Sequence, residues 1–346
     1  MTEAPKKNMI LKIFLWILGI TGGSVLLFSF GFLLLFIILV IAGSKMVNVE
    51  KIISPRTGYT ETLISGKGED KIVVIPVTGI IQTHDTRGMF GRFNAGAQEI
   101  IRQLKRAGKD NYVKAVILNI NSPGGSITAS DIIYNQVLKL KASDKKIIVS
   151  MGDVSASGGY YIAAPAHKII AHPTTITGSI GVIIQWANME SLYEKIGFHP
   201  QLIKSGAKKD MLSPGRPITE EEKLILQDII DEMYLRFVRI VADGRQMDLE
   251  QVKALSDGRI YTGEQALENG LVDANGYFED ALKSAKELAG LEEARVVRYH
   301  RRSFFLQNFL EVAAARSSIN VGVNFDLQNL SLPETPRFMY LWTGRK

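Results

Sequence analysis

From Ile10 to Gly43 the chain is apolar almost without interruption, Lys12 being its one charge. Beyond Asp70 the pattern changes to short apolar runs alternating with amphipathic stretches. The runs Ile72–Val77, Val113–Ile120 and Lys146–Met151 are β-branched and apolar on both faces, the pattern of buried strands. Between them, Ala97–Arg106 and Ala129–Lys141 read as helices. A further helix is predicted from Gly159, and a pair of strands between Lys168 and Ile184. Thr219-Glu220-Glu221-Glu222 forms a capping-box signature. It opens a long helix with Ile225, Ile229, Met233, Phe237 and Ile240 at helical spacing, a stripe for the core or a subunit contact. Asp248-Leu249-Glu250-Gln251 starts a shorter helix the same way. Strands alternating with helices predict an α/β domain built on a parallel sheet.

The divisions are residues 1–43, a cytoplasmic end with an N-terminal membrane anchor; 44–70, a polar linker; 71–300, the α/β domain; and 301–346, a C-terminal tail. Within the anchor, Ser24 to Ala42 carries no charge and is long enough to cross a hydrocarbon core of about 30 Å. It lacks the short apolar core and nearby small-residue cleavage site of a removed signal peptide. Flanking charge leaves the orientation open, with Lys6, Lys7 and Lys12 before the span and Lys45, Lys51 and Arg56 after it. A hairpin would draw Lys12 into the bilayer, at a cost of a few kcal/mol near its centre. One crossing is therefore expected, with the domain on the extracytoplasmic side of the cell membrane.

Composition narrows the chemistry. The 346 residues include no cysteine, which excludes disulfides, thiolate nucleophiles and cysteine-bound zinc. The net charge of +6 suits anionic lipid headgroups or an ordinary solvated surface. No nucleic-acid fingerprint accompanies it.

The candidate chemistry centres on Ser155-Ala156-Ser157-Gly158-Gly159-Tyr160-Tyr161. Ser157 stands at a strand–turn–helix junction, where a hydroxyl can clear the sheet. It is not a G-x-S-x-G elbow, because Ser155 holds the place of the first glycine. A serine nucleophile needs a base and a home for the oxyanion. The five histidines (His84, His167, His172, His199 and His300) have no Asp or Glu at a recognisable spacing. The segment Ile203-Lys204-Ser205-Gly206-Ala207-Lys208-Lys209-Asp210 places three lysines in a small-residue loop after an apolar strand. A lysine amine can serve as base if burial lowers its pKa from about 10.4 toward neutrality; equally, such a loop can be a solvated face. Asn121-Ser122-Pro123-Gly124-Gly125 follows a strand, and its glycines can aim backbone N–H groups at one oxygen. It also reads as a plain helix-entry turn.

Taken in order, Asn121–Gly125, Ala156–Ile162, Thr177-Gly178-Ser179-Ile180-Gly181-Val182 and Lys204-Ser205-Gly206 through Lys209-Asp210 resemble the signal peptide peptidase A family of membrane serine proteases. Asp257-Gly258-Arg259-Ile260-Tyr261-Thr262-Gly263 and Gly270-Leu271-Val272-Asp273 resemble its later signature. The resemblance implies a Clp-protease/crotonase-like fold in the short, single-domain form, and a Ser/Lys dyad acting through an acyl-enzyme. It implies Ser157 as nucleophile, Lys209 as general base, Gly125 and Gly158 as oxyanion donors, and Ser179 as the hydroxyl holding the lysine. It further implies peptide substrates such as cleaved signal peptides, contact with membrane lipid and self-assembly into a homo-oligomer, with no metal, cofactor or nucleic acid. Two alternatives stand beside it. A crotonase-type acyl-CoA hydratase or isomerase would need a carboxylate base, and Asp153 is the nearest acid. A non-catalytic membrane scaffold would be marked by a missing serine or lysine. The tail segment Pro336–Trp342 resembles the family's own ending and is expected either as a last strand or docked near the substrate groove.

Overall fold

The computed structural model describes residues 58–83, 96–301 and 337–342. The predicted anchor and most of the predicted linker lie outside the described residues. Among the described residues no helix is long and apolar enough to cross a membrane.

In chain order the strands are β1 (Tyr59–Ser65), β2 (Lys71–Thr78), β3 (Val113–Ser122), β4 (Gly124–Ser126), β5 (Lys146–Ala156), β6 (Lys168–Ala171), β7 (Ile176–Gly178) and β8 (Ile183–Gln185), then β9 (Ile260–Thr262), β10 (Ala274–Asn275), β11 (Arg295–Arg301) and β12 (Arg337–Leu341). The helices are α1 (Ala97–Lys109), α2 (Ile127–Ala142), α3 (Gly158–Ala163), α4 (Glu190–Lys195), α5 (Glu220–Arg245), α6 (Leu249–Ala254), α7 (Gly263–Glu268) and α8 (Phe278–Ala289).

The main sheet runs β1-β11-β2-β3-β5-β6-β10, with β7 on the far half of β5 and β9 on β7. Its interior pairings are parallel, as the strand–helix alternation predicts. Alternate residues of β2 separate onto two faces: Val73, Ile75 and Val77 join the large core, while Ile72 and Val74 face Ala281 and Ala285 of α8. A second sheet sets β12 between β4 and β8.

Several expectations need correction. Strand β5 does not end at Met151. Its first half pairs with β6 and its second, Val154 to Ala156, with β7, so sheet pairing carries the polar Gly152-Asp153 step that hydropathy reads as a turn. The region predicted as two strands holds three short ones, β6, β7 and β8. Strand β1 lies inside the stretch read as linker. It is a mostly exposed edge strand paired antiparallel with β11, and it carries no alternating hydrophobic signal. The apolar strand expected before Lys204 is absent: Leu202 and Ile203 are exposed and irregular, with no neighbouring strand to take them. The α5 stripe is also uneven. Phe237 and Ile240 are buried, but Ile225, Ile229 and Met233 are only half-buried. The capping box of α5 forms as its sequence predicts, Thr219 and Glu222 each satisfying the other's backbone N–H.

Candidate active site

The far half of β5 delivers Ser157 to the edge of the core with a left-handed backbone, φ 52° and ψ −116°. For a non-glycine residue such a conformation costs about 1–3 kcal/mol, and it persists because the surroundings over-determine it. Here Ser157 N donates to Gly178 O at 2.8 Å, while Tyr161 N donates to Ser157 O at 2.8 Å. Two buried tyrosines pin the helix that follows: Tyr160 donates to Leu271 O and Tyr161 to Asp131, each at 2.7 Å. Burial pushes both phenols up, so they remain neutral donors. The Ser157 side chain itself makes no hydrogen bond with the described residues, and its hydroxyl is uncommitted.

Gly125 and Gly158 converge on this serine. A Cβ placed on Gly158 would lie 3.2 Å from Gly125 N, so the first turn of α3 backs directly onto that amide. Between them Gly124 has φ +98°, and a Cβ there would fall 2.2 Å from Tyr340 O and 2.6 Å from Gly158 N. Only glycine fits. Ser122, whose hydroxyl plays no part in the sequence argument, fixes this turn by donating to Gly79 O at 2.6 Å and accepting from Gly124 N at 3.1 Å. The sequence carries no distinct signal for it, since Asn119 and Asn121 make the same strand end polar.

Ser179 stands beside Ser157. The parallel register of β5 and β7 pairs Ser155 with Thr177 and Ala156 with Gly178, and Ser157 N then donates to Gly178 O, the carbonyl of the peptide bond that leads into Ser179. Ser179 is buried, also with a left-handed backbone (φ 48°), and Arg259 O holds its N–H at 2.7 Å. Ser157, Gly125, Gly158 and Ser179 therefore share one place. Lys209 does not join them within the single chain. It is exposed, and its ammonium has no partner among the described residues. The other two lysines of that loop are engaged, Lys208 with Glu221 and Lys204 with Asp210 at 2.7 Å.

The competing groups are committed elsewhere. His167 Nδ1 accepts from Ile147 N at 3.0 Å, and burial lowers its pKa. His172 Nδ1 meets Thr174 Oγ1 at 2.8 Å. His199 and His300 are exposed, and His84 lies outside the described residues. Asp153 is exposed and takes a hydrogen bond from Asn121 at 3.0 Å.

Strand β12 lies along this site. It pairs antiparallel with β4, Tyr340 opposite Gly125, and Trp342 N donates to Pro123 O at 2.9 Å. The Tyr340 ring is fully buried, stacked on Tyr161 at 4.9 Å and tilted on Phe237 at 4.8 Å, with its hydroxyl donating to Met233 O at 3.0 Å.

Residues 139–292 match peptidase family S49, and residues 93–177 match Clp protease. A protein of Enterococcus faecium, provisionally named signal peptide peptidase SppA, is 39% identical over 310 residues, covering 88% of this chain and 90% of that protein. The chain belongs to the signal peptide peptidase A family. The fold is thus a mixed α/β one with a Clp-protease-like domain, and the enzyme class is that of a serine peptidase. Protease 4 of Salmonella typhi is 39% identical over 200 residues, 58% of this chain but 32% of that longer protein. The chloroplastic serine protease SPPA of Arabidopsis thaliana is 34% identical over 269 residues, 76% of this chain and 39% of its own length.

Proposed function

We propose that this chain is a membrane-anchored serine endopeptidase that cleaves signal peptide remnants or other unfolded peptides with a Ser157/Lys209 dyad. The observation that carries the reading is the uncommitted Ser157 hydroxyl, on a strained backbone, beside the amides of Gly125 and Gly158. Ser157 Oγ attacks the peptide carbonyl as its proton passes to Lys209 Nζ. The Gly125 and Gly158 N–H groups hold the tetrahedral oxyanion. Lys209 then protonates the leaving amine, and water attacks the Ser157 ester to release the acyl half. Ser179 accepts a hydrogen bond from the lysine amine and aims it. A peptide would bind by adding a strand to β4, the position β12 takes here. Labelling with a fluorophosphonate probe tests the reading: the modified peptide should contain Ser157, and labelling elsewhere would defeat it.

Self-assembly belongs to the same reading. No residue from 181 to 221 is buried in the single chain, and Leu192, Ile196, Phe198 and Leu202 stand exposed along that arm. A second copy packed there would cover these side chains and enclose Lys209.

Two predictions follow from this assignment. Lys208→Ala removes only an exposed pair with Glu221, worth at most about 1 kcal/mol. Its kcat/KM should therefore stay close to that of the parent, and a dead Lys208 variant beside an active Lys209 variant would exchange their roles. For topology, Ser24 to Ala42 spans once and sets the domain outside. Protease added to intact spheroplasts should degrade the domain beyond Lys45. Protection until lysis would mean a hairpin and a cytoplasmic site.

A further inference from the structure

The arm that carries Lys209 has no hydrophobic anchor. After Ile180 the next buried residue is Glu222, a charged one in the first turn of α5. Two ion pairs attach the arm there, an exposed one between Lys208 and Glu221 and a more extensive one through the guanidinium of Arg216. Arg216 Nε and Nη2 donate to the two carboxylate oxygens of Asp210, both at 2.9 Å. From its other side, Nη1 and Nη2 donate to Glu222 Oε2 and Oε1 at 2.9 and 2.6 Å. The remaining contacts are to the carbonyls of Pro217 at 2.9 Å and Asp210 at 3.3 Å. Glu222 is fixed in turn by the capping box, its Oε2 taking Thr219 N at 3.0 Å. Asp210, the residue after Lys209, also receives Lys204 Nζ at 2.7 Å. Arg216 holds the Asp210 carboxyl below the usual carboxylate range and lowers that of Glu222 to about 2, so both stay ionised where the enzyme would work.

We propose that Arg216 is the positioning residue for the catalytic lysine, a doubly bidentate clamp that fixes Asp210, and with it Lys209, to the buried Glu222 of helix α5. The inference rests on the reading of Lys209 as the base. The geometry selects arginine. Two carboxylates each gripped at both oxygens need the rigid five-donor fork, which a lysine ammonium does not offer. The buried Glu222 needs a permanent counter-charge, and the arm needs a point of attachment. One side chain meets both requirements.

The test uses full-length chain with Asp210→Ala, Arg216→Met, Arg216→Lys and Lys209→Ala. Asp210→Ala cuts only the arm side of the clamp and leaves the Arg216–Glu222 pair in place, so it remains informative if Arg216→Met fails to fold. Misplacing a catalytic group by about 1 Å can cost about 100-fold in rate. Asp210→Ala and Arg216→Met should therefore lower kcat by about 10- to 100-fold with KM within about twofold. Arg216→Lys should recover part of the loss, and trypsin should cut after Lys208 and Lys209 at least about tenfold faster than in the parent. If Lys209→Ala is inactive while Asp210→Ala and Arg216→Met keep parental kcat and parental trypsin resistance, the base stands and the clamp is overturned. If Lys209→Ala is active, the base assignment falls and the clamp with it.

Discussion

Ser157→Ala should reduce peptide cleavage by about four to six orders of magnitude while leaving the circular dichroism spectrum unchanged. The hydroxyl makes no hydrogen bond with the described residues, so its loss removes chemistry and leaves no buried polar partner orphaned. The backbone strain at φ 52° is held by the amide and carbonyl of Ser157, which alanine retains. Lys209→Ala should fall to within about tenfold of the same floor, because a serine without its base is a poor nucleophile. A histidine base would show itself in the pH profile. Burial lowers the His167 pKa, so a rate limb governed by it would be complete by neutral pH and would vanish on replacing that residue. Full activity in Ser157→Ala would remove the site altogether; full activity in Lys209→Ala would remove the dyad.

Deleting residues 334–346 should lower the apparent KM for a peptide several-fold with kcat unchanged. In the intact chain β12 lies on β4, with Tyr340 opposite Gly125 and its ring in the pocket of Tyr161 and Phe237. A tethered segment competes with free peptide at an effective concentration in the millimolar range, and competition of that kind raises KM alone. The opposing possibility has its own signature. If β12 is only a last structural strand, the deletion forfeits the burial of Tyr340, about 2–3 kcal/mol, and the chain melts earlier with KM unchanged. Unchanged KM together with unchanged oligomer mass would leave only that structural role.

Much of this was legible in the residues because periodicity and chemistry agreed. The interior strands β2 and β3 are apolar on both faces, and parallel burial requires that pattern. The capping box at Thr219 is local, so neighbouring letters suffice to predict it. Ser157, Gly125 and Gly158 could be singled out as small residues at strand ends, but that pattern equally allows a plain turn, and their roles rested on the family resemblance. What escaped depends on contacts distant in sequence. The continuation of β5 through Gly152 is dictated by β7, which follows it by some twenty residues. The edge strand β1 is fixed by β11, at the other end of the sheet. Ser122 and Arg216 act through partners that no spacing rule connects, a carbonyl at Gly79 and a carboxylate that helix α5 buries. Lys209 is the hardest case: it is exposed, and its ammonium has no partner among the described residues.

The arm from 181 to 221 also changes what can be learned by selecting for robustness. The cooperative unit that melts is the sheet with its helices, and a segment contributing no buried side chain adds little to that transition. Libraries enriched for heat resistance or soluble yield would hold the core letters constant and let this stretch drift. The survivors would express well, melt late and turn over nothing. In this enzyme turnover has to be selected directly, because on the proposed reading the lysine base lies in a stretch that contributes little to durability while the serine lies in the core.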